Sequence, residues 1–127
     1  MTLSVGRFVR APPSEAWALI SRTGSWPRWG PSVSAVEPPD LELSLGLHGR
    51  VRTPLGLWLP FHITDFDPPR SWAWSVLLIP ATSHTVEPAP GGCRVSFSVP
   101  ATGVAYLAVC RLALERIAEL LEAPDEC

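Results

Sequence analysis

A chain of 127 residues can bury a core but is too short for two ordinary domains, so residues 1–127 read as one domain. Hydrophobic content of 46% with 17% charged residues excludes a disordered chain. A net charge of −2 supplies no basic patch of the kind a phosphate backbone requires, so no nucleic-acid partner is expected. All ten basic residues are arginine, and Lys, Asn and Gln are absent; the missing types share A-rich codons, which points to a GC-rich genome and not to a mechanism. Cys93, Cys110 and Cys127 are odd in number and widely spaced, suggesting neither a disulfide framework nor a zinc site. No apolar run follows Arg7 and Arg10 as in a signal peptide, and no stretch approaches the ~18 apolar residues of a spanning helix. The expectation is a cytoplasmic protein with reduced thiols and no membrane insertion.

Residues 2–9 alternate weakly and predict a first strand. "APPSEAWALI" follows as a short helix, with Pro13 suited to the first helical position, Glu15 to the N-terminal dipole, and Ala16, Leu19 and Ile20 as the apolar stripe. In "SWPRWGP", Trp26 and Trp29 stand one helical turn apart between prolines, giving a second short helix or turn. Strands are then predicted over 33–37, 45–53, 57–66, 70–79, 82–87 and 93–100, separated by turn signals such as "TPLG", "DPPR" and "PAPGG". Fifteen prolines are more than twice the usual share of about 5%, and the pairs or near-pairs at Pro12–Pro13, Pro38–Pro39, Pro68–Pro69 and Pro88–Pro90 read as loop punctuation.

The last segment, 101–122, carries the cleanest helical period. Leu107, Cys110, Ala113, Leu114, Ile117 and Leu121 share a face, opposed by Arg111, Glu115, Glu119 and Glu122, with Arg111 and Glu115 spaced as an i,i+4 pair. Pro100 and Pro124 mark its start and stop. One amphipathic helix cannot bury its stripe alone, so the strands must wrap it. The fold class is therefore α+β: a bent seven-stranded antiparallel sheet round a long C-terminal helix, with two short helices after the first strand.

Strand parity puts Leu57, Leu59, Phe61 and Ile63 on the buried face, then Trp72, Trp74, Val76 and Leu78, then Thr82, His84 and Val86, then Val95, Phe97 and Val99. His48, Arg50, Arg52, His62, Thr64, Ser71, Ser75, Arg94, Ser96 and Ser98 face outward, as in a sheet covered on one side. Trp58 and Phe66 fall on the polar side by the same parity; a bulge or a homodimer contact would account for them. Asp65 follows the buried parity, but its place before "DPPR" favours a turn-capping role over catalysis.

This element order, with "APPSEAWALI", "WPRWGPSVSAVE", "ITDFDPPRSWAWSV" and "HTVEPAPGGCRVSF", resembles the START-type, pollen-allergen-like (SRPBCC) superfamily over nearly the whole chain. Within it the chain is most similar to the bacterial polyketide cyclase/dehydrase-like proteins. The resemblance implies the helix-grip fold and a hydrophobic small molecule held between sheet and C-terminal helix. Members include aromatase/cyclases, lipid carriers, hormone receptors and co-chaperones, so the resemblance does not fix an activity.

The ligand-binding candidates are Trp26 and Trp29, which at the pocket entrance implied by the resemblance either gate a hydrophobic ligand or simply cap the core, and Phe61, Trp72, Trp74, His84, Phe97, Tyr106 and Cys110 as walls. Gly103, Ala105, Ala108 and Ala113 are small enough to leave room beside them; the competing reading is a filled core. His84 sits on the apolar face next to Trp72 or Trp74, where a neutral imidazole can exchange a proton, bond a ligand, or simply satisfy a backbone carbonyl or Thr82. Tyr106, the only tyrosine, reads as a hydroxyl at the cavity mouth or as a helix anchor. His84 and Tyr106 are the catalytic candidates for an aldol-type cyclisation or dehydration, a reaction governed mainly by ligand shape plus one or two proton-transfer groups. The alternative is a non-catalytic carrier or sensor of a lipid-like or aromatic ligand. No metal constellation and no nucleotide fingerprint is present, so no cofactor is expected.

Overall fold

The computed structural model describes residues 2–122; Pro124 and Cys127 lie outside them. Its strands are β1 (Thr2–Val9), β2 (Ala35–Glu37), β3 (His48–Arg52), β4 (Trp58–Asp67), β5 (Ser71–Val76), β6 (Ile79–Ala89) and β7 (Gly92–Pro100). Its helices are α1 (Pro13–Ser21), α2 (Trp26–Trp29) and α3 (Leu107–Glu122). The strands make a seven-stranded antiparallel sheet in the order β1-β7-β6-β5-β4-β3-β2. The apolar face of α3 covers the inner side of the sheet, with Cys110, Ala113, Leu114, Ile117 and Ala118 buried. This is the helix-grip α+β architecture that the alternation and the final apolar stripe require.

The long helix starts six residues later than its periodicity suggests. Residues Ala101–Tyr106 form a 3-10 segment, and Gly103 within it has non-helical angles (φ −101°, ψ 24°). Glycine gives up more conformational freedom on joining a helix than any other residue, and Pro100 already fixes the chain ahead of it. The consequence is a correction to the small-residue wall. Ala105 and Ala108 are exposed, which leaves Ala113 buried beside Cys110. Glu115 pairs with Arg7 of β1 at 2.9 Å, and the Glu122 carboxylate accepts the Arg10 backbone N–H at 2.7 Å. These contacts tie the polar edge of α3 to the sheet edge beneath it, where an i,i+4 bond to Arg111 was expected.

Two register shifts explain where strict alternation fails. A shift between β4 and β5 falls at Ile63/Asp65, and one between β5 and β6 falls at Ala73/Ser75. An extra residue in one strand reverses the facing of everything beyond it and bends the sheet. Asp65 is accordingly exposed. Phe66, opposite buried Trp72, turns inward and packs its ring 6.1 Å from that of Trp17 on α1. Trp58 stays on the outer face under the Arg50 guanidinium, 5.1 Å from the ring centroid, and Arg50 is bonded to Glu37. His48 and His62, paired across β3 and β4, stack on the same face with ring centroids 4.5 Å apart. Pro88 lies inside β6, not in a loop, beyond the point where β5 begins at Ser71↔Thr85. Its missing N–H therefore faces a side with no strand to receive it.

The β5–β6 connection is a two-residue turn at Leu77 and Leu78, both left-handed (φ 56° and 64°). Such hairpins usually carry Asn or Gly; a leucine there costs about 1 kcal/mol. The turn ends β5 early, so Leu78, expected inside, is 89% exposed. Leu57, also expected inside, precedes β4 and is exposed. Because the strands alternate in direction, this turn, the β3–β4 turn and the β7–α3 connection all meet at one end of the sheet.

At Gly49 on β3, a Cβ would stand 2.7 Å from the Phe61 ring and 2.5 Å from the Glu37 carbonyl oxygen. Gly49→Ala is expected to lower unfolding stability by about 1–3 kcal/mol, the usual range for overpacking. Urea unfolding followed by circular dichroism measures it, and a loss below about 0.5 kcal/mol would show that Phe61 moves aside freely.

Candidate functional site

The inner surface is built around an aromatic cluster that four elements assemble. β5 supplies Trp72 and Trp74, β6 supplies Thr82 and His84, β7 supplies Phe97, and α2 inserts Trp26 and Trp29. The insertion has a definite cause. The last carbonyls of α1 have no partner within their own helix. The Trp26 indole N–H donates to the Ile20 carbonyl at 3.0 Å, and that of Trp29 to the Leu19 carbonyl at 3.2 Å. The two short helices are thereby clasped together and the indole rings driven inward. Trp26 stacks on Trp72 (centroids 5.3 Å, interplanar angle 12°) and meets Phe61 and Trp74 edge-on at 5.3 and 5.1 Å.

His84 is 3% exposed and fully engaged. Its ring stacks on Trp72 at 3.8 Å and meets Phe97 edge-on at 4.7 Å. The Trp74 indole N–H donates to Thr82 Oγ1 at 2.9 Å, and Thr82 Oγ1 lies 3.1 Å from His84 Nε2. His84 Nδ1 lies 3.3 Å from the Trp72 carbonyl oxygen. One tautomer satisfies the whole chain: the Thr82 hydroxyl donates to Nε2, and Nδ1–H donates to the carbonyl. Burial drives the imidazole pKa down to about 3, a fall that the Trp72 carbonyl offsets only in part. The ring is neutral at physiological pH, and both of its nitrogens are occupied. It is a poor general base in this state, because efficient proton transfer needs a pKa near the operating pH.

The space at this inner cluster is small, about 30 Å³, or room for roughly one water. The larger cavity, about 370 Å³, opens at the end of the sheet where the β3–β4 and β5–β6 turns meet the 3-10 segment. Val33, Val51, Leu59, Val76, Ile79 and Val99 make its apolar wall; Ser32, Thr53, Thr82 and Thr102 are its uncharged polar members. Among the described residues, no Asp, Glu, Arg or His lines it. Ser32, Val33, Trp74, Thr82 and Tyr106 belong to both spaces. The Tyr106 hydroxyl lies 2.5 Å from Ser32 Oγ, joining the 3-10 segment to the loop after α2. Burial raises the pKa of Tyr106, partly offset by Ser32, and pushes the Cys110 thiol up to about 11, so both stay protonated. The Trp72 indole N–H is buried without a hydrogen-bond partner among the described residues.

Trp26, Trp29, Trp72, Trp74, His84, Phe97, Tyr106 and Cys110 all border the small inner space. Phe61 packs behind them against Trp26 and Trp74 and borders neither space. Apart from Trp74 and Tyr106, the roomy part of the site is lined by residues outside the set of ligand-binding candidates, chiefly the aliphatic set from β3 to β7. Parity already turned Leu59, Val76 and Val99 inward; the missing signal was that the aromatic plug stops short of that end. Among the described residues, no group of three or more His, Cys, Asp or Glu side chains is placed to hold a metal ion. None of their helices is long and apolar enough to cross a membrane.

The bent sheet closed by one long helix, with a cavity at one end, defines the helix-grip class of α+β proteins. The chain belongs to the polyketide cyclase / dehydrase and lipid transport family, whose profile matches residues 1–123. Among solved structures it is similar to a Mesorhizobium loti protein (TM-score 0.80, 14% identity, 99% of this chain and 100% of that one). It is also similar to the protein XoxI from Bacillus cereus (TM-score 0.76, 14% identity, 99% of each chain) and to the Aha1 dimer from Colwellia psychrerythraea (TM-score 0.76, 12% identity, 99% of each chain). At these identities the likeness is one of fold. No curated protein matches the chain.

Proposed function

We propose that this protein binds a neutral, apolar small molecule in the cavity at the open end of the grip, as a carrier or sensor and not as a catalyst. The observation that carries this reading is a cavity of about 370 Å³ whose walls, among the described residues, hold no charged side chain. That volume lies in the range of small-molecule sites, and the apolar lining suits a lipid-like or aromatic ligand. Family membership supports the same class of ligand. Tyr106 and Thr82 are the groups that would orient a polar end of the ligand. His84 braces Trp74 through Thr82, and a neutral imidazole with both nitrogens bonded argues against a proton-transfer role.

The test is titration with N-phenyl-1-naphthylamine, a neutral apolar fluorophore, followed by its own emission and by tryptophan quenching. Saturable binding is expected. Ala81, half-buried in the cavity wall, is the position to fill. Ala81→Phe should weaken binding at least about tenfold, since a filled pocket loses the apolar burial that drives association, while the far-ultraviolet spectrum stays unchanged. Absence of saturable binding, or equal affinity in Ala81→Phe, would defeat the reading. Turnover of a polyketone substrate abolished by His84→Ala would replace it with the cyclase reading.

A further inference from the structure

We propose that the open end of the grip seats on the surface of an anionic phospholipid bilayer, with the two hairpin tips entering the headgroup region around the cavity mouth. Leu55 in the β3–β4 turn and Leu78 in the β5–β6 turn are 90% and 89% exposed, and Leu57, Leu77, Ile79 and Val104 beside them are exposed too. All six belong to connections or strand starts at the same end of the sheet. Two leucines occupy left-handed positions that ordinarily carry Asn or Gly, so the β5–β6 tip keeps apolar side chains where local backbone preference opposes them. Exposed apolar clusters of this kind mark sites of association.

Charge selects the partner. The segments that form this end, residues 32–34, 51–59, 76–82 and 99–106, contain no Asp or Glu, although the chain has twelve. Their one charged residue is Arg52, and its guanidinium lies alongside the β3–β4 turn, where a Cβ on Gly56 would meet it at 3.3 Å. Arg52 makes no ion pair among the described residues. An acid-free apolar rim with one available cation matches an anionic lipid interface, where apolar burial and attraction to headgroups add. The rim is built from three separate connections, the β3–β4 turn, the β5–β6 turn and the 3-10 segment. A fluid bilayer accepts such a rim without the shape complementarity that a protein partner demands. The bilayer is also where a neutral apolar ligand dissolves, and in that respect the inference rests on the function proposed above.

Flotation with vesicles of phosphatidylcholine alone and of phosphatidylcholine mixed with phosphatidylglycerol tests the seat independently of ligand binding. The protein is expected to float with the mixed vesicles and less with phosphatidylcholine alone. The double variant Leu55→Asp/Leu78→Asp should reduce the bound fraction at least about tenfold. Both side chains are solvent-facing, and Asp tolerates a left-handed position, so the fold is expected to persist. Leu45→Asp, an exposed leucine beside the opposite end of β3, should leave flotation unchanged. Arg52→Ser should remove only the increment due to phosphatidylglycerol. Failure to float with either vesicle overturns the proposal, as does equal flotation of the double variant. A concentration-dependent dimer in sedimentation velocity that Leu55→Asp/Leu78→Asp abolishes would assign the rim to a second copy and overturn it too. Fluorophore binding that persists without flotation would remove the seat and keep the cavity; flotation without fluorophore binding would do the reverse.

Discussion

Replacing Trp26 with Ala is expected to lower the unfolding free energy by about 3–5 kcal/mol, the range for deleting a buried aromatic side chain. The side chain is 1% exposed and touches Phe61, Trp72 and Trp74 at once. Its removal costs those contacts, leaves a void next to the existing inner space, and orphans the Ile20 carbonyl at the end of α1. Against a typical total stability of about 5–15 kcal/mol this is a large share. Urea unfolding followed by circular dichroism gives the value. Should Trp26→Ala fail to fold, Trp26→Phe is the milder variant. It keeps an aromatic ring in the plug but loses the indole hydrogen bond and part of the buried ring volume, with an expected cost of about 1–3 kcal/mol. A loss below about 1 kcal/mol for the alanine variant would show that α2 is a loose cover and not part of the core.

The second large effect is a pH dependence traceable to His84. Its pKa is about 3 in the folded protein, against 6.5 for an unperturbed histidine. The unfolded chain therefore binds the proton first as pH falls. Stability is full above pH 6.5, declines as pH drops below it with a limiting slope of about 1.4 kcal/mol per unit, and levels off near the folded pKa. The groups packed on the ring are Trp29, Trp72, Trp74, Thr82 and Phe97, so no charge among these contacts shelters an imidazolium. His84→Gln can keep both hydrogen bonds while removing the titration. The difference between wild-type and variant stability curves from pH 7 to pH 4 isolates this one residue. All other ionisable groups are common to both proteins, so they cancel in the difference. Parallel curves would mean that His84 is already solvated or charged.

The sequence made the architecture legible because alternation and the 3.6-residue stripe are local signals that the sheet and α3 obey. The exceptions have local physical causes. Gly103 delays α3, the shift at Ile63/Asp65 turns Phe66 inward, and the leucine turn ends β5 early. None of these follows from composition, since a bulge is one residue gained in one strand. The aromatic neighbourhood of His84 was legible for the same reason as the fold: parity puts Trp72, Trp74, His84 and Phe97 on one face. What parity cannot say is how tightly that neighbourhood packs. Trp26 closes it because two indole N–H groups find the loose carbonyls of α1, a long-range fit between side chain and backbone. The open volume therefore sits one layer further along, among aliphatic residues that carry no chemical label.

Under the proposed function that plug would also act as a depth stop. A guest in the cavity would meet Trp74 and Thr82, which are tied to His84 beneath them. Guests differing only in length would be sorted by that wall: those that end before it fit, and longer ones protrude beyond the rim. Length selection would thus be set by aromatic side chains lying beneath the cavity floor, most of them never touching the guest.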